Sequence, residues 1–319
     1  MTSAETYAVF AEREVKGYSP TYYEWASSIA RDRAVLSLID ELPPRSRQPN
    51  LLFAACRFLG VQPGPYATFR DALLANWPAI AEVARERRTQ TNEPGRCAVL
   101  LPILASLPQP LALLEVGASA GLCLYPDRYS YRYDDTHRLG PLDGASKVSL
   151  SCATLGNPPL PASLPHVVWR AGIDLHPLDV RDEAATRWLE ALVWPEQEFR
   201  RTRLEAAIDI ATADPPMLVE GDLVERLHDV AGLAPRDATL VIFHSAVLTY
   251  LDHEQRRAFI DQVRALPATW ISNEGIGVVA TKERVSANPH DNNPMPFLLA
   301  RDGVPVALAG AHGQTLDWL

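Results

Sequence analysis

The feature that most constrains this chain is a change of rhythm at Pro110. Before it, apolar residues recur at helical spacing. Ser19-Pro20 reads as a helix cap with Pro at the first helical position, followed by Tyr23, Ala26, Ile29, Ala30 and Ala34 on one face up to Pro43-Pro44. Leu51 to Leu59, Phe69 to Val83 and Arg96 to Leu107 read as further helices, the last apolar enough to be buried on all sides. After Pro110 the apolar runs shorten to strand length. Leu111 to Val116 is followed by Val167-Val168, Gly172-Ile173, Met217 to Val219, Thr239 to Phe243 and Thr269 to Ser272.

Between these runs lie helical patterns at Asp182 to Leu192, Glu196 to Ile210, Leu223 to Val230 and Glu254 to Leu266. Alternation of strand and helix predicts a parallel sheet with helices on its faces, because a parallel crossover needs a helix's length of chain. Pro296 to Ala300 and Val304 to Ala309, joined by Asp302-Gly303, predict an antiparallel hairpin at the end. The expectation is therefore an α/β, Rossmann-like, mostly parallel sheet with an antiparallel C-terminal hairpin. A helical N-terminal region covers 1–107 and the sheet domain 108–319, with a small β insertion at about 125–168.

Charge and cysteine content narrow the function classes. The 319 residues carry 30 Lys and Arg against 39 Asp and Glu, a net charge of −9 with no basic block, which argues against a nucleic-acid backbone as partner. No apolar run reaches the roughly 18 residues of a spanning helix, and Met1 to Phe10 lacks the basic start and apolar core of a signal peptide. Cys56, Cys97, Cys123 and Cys152 form no CxxC pair, which fits reduced thiols. These points predict a cytoplasmic protein acting on a small molecule, with no membrane and no metal; the oligomeric state is not legible.

The sharpest motif is Glu115-Val116-Gly117-Ala118-Ser119-Ala120-Gly121, a buried run ending in an acid and a loop of small residues, expected to lead into a helix. The dinucleotide pattern G-x-G-x-x-G fits it poorly, since Ser119 stands where the second Gly belongs. Gly117-x-Ser119-x-Gly121 also matches the nucleophile elbow of serine hydrolases, with Asp222 and His244 or His312 as partners in chain order. Against that stands the helical character of everything upstream, where a hydrolase builds several strands.

The same residues resemble the first motif of class I S-adenosylmethionine-dependent methyltransferases, with Ser119 in place of a middle Gly. The resemblance covers about 111–319, and over the whole chain the sequence is similar to an uncharacterised bacterial family with a methyltransferase-like domain. It implies S-adenosylmethionine as cofactor, held by Glu115, Gly117, Ala118, Ser119 and Gly121, by Asp174 with Leu175 at the ribose, and by Gly221-Asp222 at the adenine. Asn92 is expected to reach the cofactor from the preceding segment, with helix capping as the alternative. His244 is the expected general base and Glu274 a second catalytic residue, or His244 simply bonds a neighbouring loop. Tyr131, Arg132 and Tyr250 are expected substrate contacts, and the acceptor an O or N nucleophile of a small molecule.

Two departures stand out. Glu115 and Asp174 are 59 residues apart, so the insertion must lie between them, expected as a β lid over the cofactor mouth. Ser119 crowds a turn where Gly would move freely. Both features also suit a cofactor-binding or regulatory protein without catalysis. His290, Asp291, Asn292 and Asn293 look metal-like but read better as a loop.

Overall fold

The computed structural model describes residues 1–90, 92–279 and 296–319. Two units make up the chain: Met1–Thr91 with Arg181–Thr202, and Asn92–Val180 with Arg203–Leu319. In the first unit the helices are α1 (Ser3–Phe10), α2 (Pro20–Ile29), α3 (Arg33–Asp40), α4 (Pro49–Phe58), α5 (Tyr66–Ala75) and α6 (Trp77–Glu86). The Ser19 hydroxyl accepts from Tyr22 N and Pro20 opens α2, as the sequence predicts. Phe69 to Val83, expected as one helix, is two. Pro78 has no N–H and its ring collides with a preceding carbonyl, so it is tolerated only in the first turn of a restarted helix.

The core of this unit is aromatic, with Trp25 stacked on Phe69 at 4.0 Å and Phe53 edge-on to both. The returning segment 181–202 closes its polar ends. Glu196 accepts from Ser19 Oγ at 2.5 Å and from Thr21 N at 2.9 Å, which satisfies donors at the α2 start.

The second unit opens with α7 (Cys97–Ser106), whose residues from Cys97 to Leu104 are all buried. Helix α7, grouped by the sequence with the N-terminal helices, thus lies in the second unit, where a helix apolar all round has a sheet to bury it. The strands are β1 (Leu111–Val116), β2 (Ser130–Tyr133), β3 (His137–Leu139), β4 (Ser149–Leu155), β5 (Val167–Asp174), β6 (Met217–Glu220), β7 (Thr239–Ser245), β8 (Thr269–Gly275), β9 (Phe297–Arg301), β10 (Val304–Ala309) and β11 (Thr315–Trp318). Of the remaining helices, α8 (Glu183–Leu192) belongs to the first unit's returning segment, α9 (Glu198–Ala213) starts in that segment and continues into the second unit, and α10 (Leu223–Ala231) and α11 (His253–Ala265) lie in the second unit.

One sheet runs β3-β2-β4-β11-β10-β9-β8-β7-β1-β5-β6. From β6 to β8 every pair is parallel, while β8, β9, β10 and β11 follow one another antiparallel. The chain leaves β1 for β5 on one side and later adds β7 on the other, so the strand order reverses there and leaves the crevice in which open α/β sheets bind ligands. Residues of α10 and α11, among them Leu227, Val230, Phe259 and Val263, bury one face against Leu114, Ile173, Ile242 and Trp270. Among the described residues no helix is long and apolar enough to cross a membrane.

The insertion differs from the expected lid. β2 and β4 pair in parallel, and β4 pairs with β11, so the insertion extends the sheet. Tyr129, Tyr131 and Tyr133 are buried and donate to Leu122 O, Pro126 O and Ala98 O at 2.6, 2.7 and 2.6 Å. A free lid would leave such rings exposed. The four residues of β11 are too few to show a period, which is why the joining strand is not legible in the sequence.

Candidate functional site

The site begins with β1, buried along its whole length and ending at the switch point. No α-helix follows it, contrary to expectation. The loop passes into a single 3-10 turn, Leu122–Leu124, so the helix N-terminus that would face an anion is missing. Instead the loop is held by side chains. Asp174, at the end of β5, accepts from Ser119 N at 2.8 Å and from His176 N at 2.9 Å. Asn92 donates to Ala118 O at 2.7 Å and accepts from Leu122 N at 2.9 Å, clasping the loop from both ends. Gly117 N and Ala118 N both donate to Ile173 O. Gly117 has φ +71°, and a Cβ there would lie 2.3 Å from Val247 Cγ2, so only glycine fits beneath the loop after β7.

That second loop is tied to a buried network. Glu274 Oε1 accepts from Val247 N at 2.9 Å and Leu248 N at 3.0 Å, and lies 2.7 Å from His244 Nδ1. Trp270 Nε1 is 3.0 Å from His244 Nε2. An indole N–H only donates, so Nε2 accepts and the imidazole proton sits on Nδ1, directed at Glu274. Burial works to raise the Glu274 pKa, but the hydrogen bonds from His244, Val247 and Leu248 outweigh it and the net shift is downward. With both ring nitrogens engaged and the ring fully buried, His244 is a structural bridge with no nitrogen left for an acceptor. Glu274 likewise anchors a loop, and the Glu274–His244 pair expected to do proton chemistry fixes Val247 over Gly117.

Glu274 Oε2 is buried without a hydrogen-bond partner among the described residues, and the opposite face of the same edge carries further such atoms. Glu115 pairs in register with Phe243 and Phe243 with Ile271, which puts Glu115, Ser245 and Asn273 on one side and His244 and Glu274 on the other. Glu115 Oε2, Ser119 Oγ and Asn273 Oδ1 are buried without a hydrogen-bond partner among the described residues. Burial pushes the Glu115 pKa well up, Cys123 and Asp174 push the same way, and the nearby Arg96 guanidinium offsets this only in part. Arg96, itself buried, donates from Nη1 to Ser245 O and from Nε to Ala311 O, both at 3.0 Å. Asn273 Nδ2 donates to Ser245 Oγ at 2.8 Å. Ser245 therefore joins Arg96 and Asn273.

Other expected site residues are placed as follows. Gly121 ends the β1 loop with φ +71°. Gly221 N donates to Asp174 O at 2.9 Å, and Asp222 caps α10 by accepting from Val224 N at 2.8 Å, a structural use of the acid expected at adenine. Leu175 is exposed, and Tyr250, 73% exposed, lies in the 3-10 turn Leu248–Tyr250. Arg132 is an exposed side chain on β2 bonded to Ser151 Oγ at 2.9 Å, and Tyr131 spends its hydroxyl on a backbone carbonyl. Among the described residues Ser119 Oγ has no base within hydrogen-bond reach and the loop runs into a 3-10 turn, so the hydrolase elbow lacks both its base and its turn. No group of three metal-ligating side chains occurs among the described residues, and His290 to Asn293 lie outside them.

Arg96 was not legible as a site residue. Its signal was its place, since a cation at the start of a helix opposes the helix dipole and needs another reason to be there. Gly95 provides the approach: a Cβ there would meet His312 O at 2.4 Å.

The family model described as "Uncharacterized protein conserved in bacteria (DUF2332)" matches residues 4–318. No curated protein and no solved structure matches the chain. Nothing in these findings shows a methyltransferase family, and the resemblance to the class I methyltransferases is corrected accordingly. Its motifs were short, and two of them, the acids at Glu274 and Asp222, are spent on anchoring a loop and capping a helix.

Proposed function

We propose a function from geometry, because the chain belongs to the DUF2332 family, whose description names no reaction: it binds S-adenosylmethionine at the carboxyl edge of its sheet and passes the methyl group to an oxygen or nitrogen of a small molecule. The observation that carries this reading is three polar atoms buried without partners among the described residues: Glu115 Oε2 and Asn273 Oδ1 on one face at the strand ends, and Ser119 Oγ in the loop after β1. Each such atom costs about 1–3 kcal/mol, a loss that a polar ligand would relieve.

These atoms and Arg96 suit the amino-acid end of the cofactor, and Asp174 lies at the end of the neighbouring strand where a ribose acid is needed. When bound, S-adenosylmethionine supplies a methyl group on a positively charged sulfur, open to direct displacement. The chain's own residues contribute position. Asp174 and Asn92 fix the β1 loop, and Glu274 fixes Val247 and Leu248 across the crevice. His244 takes no proton, so acceleration would come from holding the two reactants in line, an effect large enough to sustain a methyl transfer by itself.

Titration calorimetry with S-adenosylmethionine and S-adenosylhomocysteine tests the reading. Saturable binding of both is expected, and no heat at millimolar ligand sinks it. A second reading, a binding or regulatory protein without catalysis, is favoured by the locked His244 ring and by Val247 seated on Gly117. Cofactor binding without transfer of labelled methyl to any component of a cell extract would decide for it.

A further inference from the structure

On the face of the sheet that carries Glu115, the strand ends present one cation and several unsatisfied acceptors. Arg96 bonds only the carbonyls of Ser245 and Ala311; the other N–H donors of its fork have no partner, and no carboxylate lies within ion-pair distance, among the described residues. Beside it, Asn273 turns its amide toward Ser245 and leaves Oδ1 unpartnered, and Glu115 leaves Oε2 unpartnered. A buried guanidinium answered by two carbonyls and the face of the Phe297 ring, 6.0 Å away, but by no anion, is costly, and it favours an anion that can take two parallel N–H bonds. Unpartnered carbonyl and carboxyl oxygens favour a donor with several N–H groups, such as an ammonium.

We propose that this cluster of polar side chains binds an α-amino-acid group, with its carboxylate on Arg96 and its ammonium between Glu115 Oε2 and Asn273 Oδ1. The assignment rests on reading the carboxyl edge as a ligand site, and it names the chemistry the site selects. Two sources carry that group: the methionine end of S-adenosylmethionine, or a free amino acid. Arg96, Asn273 and Ser245 are thereby specificity residues that the loop motif alone does not supply. The ammonium also gives Glu115 the charged partner it lacks, and burial now holds that carboxyl toward its protonated form. Binding is therefore expected to release a proton.

Calorimetry on the full chain separates the possibilities without any variant, using S-adenosylhomocysteine, 5′-methylthioadenosine, which lacks the amino-acid group, and each standard L-amino acid in turn. The expected result is S-adenosylhomocysteine binding at least tenfold tighter than 5′-methylthioadenosine, with proton release seen as a heat that changes with the buffer's ionisation enthalpy. Arg96→Gln should bring the two nucleosides to within a fewfold of each other. Arg96 also ties two backbone carbonyls, so Glu115→Gln, which keeps the side chain's shape, is the companion variant and should abolish the proton release. Equal binding of the two nucleosides overturns the amino-acid assignment while leaving the cofactor reading intact. Binding of a free L-amino acid, and of neither nucleoside, keeps the assignment and overturns the cofactor reading. No binding by any probe overturns both.

Discussion

Glu115 and Glu274 are both buried at the carboxyl edge of one sheet, on opposite faces, and they differ in everything that follows from their donors. Glu274 receives an imidazole N–H and two backbone N–H groups on one oxygen, which lowers its pKa and makes it part of the framework. Among the described residues Glu115 receives no N–H donor and burial raises its pKa, whereas Glu274, whose Oε2 is likewise buried without a partner, has its pKa lowered by the three donors on Oε1. A carboxylate's position on a strand therefore does not tell its task; the donors converging on it do.

The harshest way to break this contrast is Glu274→Ala. It strands the His244 Nδ1 proton and two buried backbone N–H groups at once, so unfolding in urea should show a loss of about 3–5 kcal/mol. Next comes Trp270→Phe, which removes the indole donor and leaves His244 Nε2 buried without one; about 1–2 kcal/mol is expected by the same measurement. If both variants lost no more than a surface substitution, the network would not be holding the loop.

The two glutamates should also respond to pH with opposite sign. Glu274, lowered in the folded state, contributes stability that is present above the unfolded carboxyl pKa of about 4.3 and is lost as pH falls through its lower folded value. Glu115, raised in the folded state, contributes stability that is complete below about 4.3 and is lost as pH climbs through its folded value. The loss has a slope of at most about 1.4 kcal/mol per pH unit. Glu115→Gln mimics the protonated acid and should match the wild type near pH 4, then exceed it by about 1 kcal/mol or more toward pH 8. Parallel denaturation curves of the two proteins at every pH would refute the raised pKa.

The same distinction explains what the sequence could and could not tell. The parallel strands were legible because buried runs such as Leu111 to Val116 and Thr239 to Phe243 are continuous and bounded by helical patterns. The α2 start was legible from Ser19-Pro20, since capping is local. The fate of His244 was not, because Trp270 and Glu274 reach it from the next strand and only pairing in register brings them together. Arg96 stayed hidden for a like reason: its partners Ser245 and Ala311 are 149 and 215 residues away. The helix expected after Gly121 failed because side-chain donors and acceptors, Asn92 and Asp174, took over the backbone groups of the loop.

The mildest test bears on Ser119, which adopts φ +52° and buries a hydroxyl without a partner among the described residues. A left-handed conformation costs a non-glycine residue about 1–2 kcal/mol, and the unpartnered hydroxyl adds to that cost. Glycine at this position would relieve both while losing about 0.5–1 kcal/mol through its freer unfolded state. Ser119→Gly should therefore stabilise the protein by about 1 kcal/mol, read as a higher midpoint in urea with an unchanged slope. A serine retained where glycine is more stable is what a ligand-facing position produces, because function holds such residues against stability. The variant should accordingly bind S-adenosylhomocysteine severalfold more weakly while being the more stable protein. Gain in stability with undiminished binding would place Ser119 with Glu274, on the side of framework rather than site.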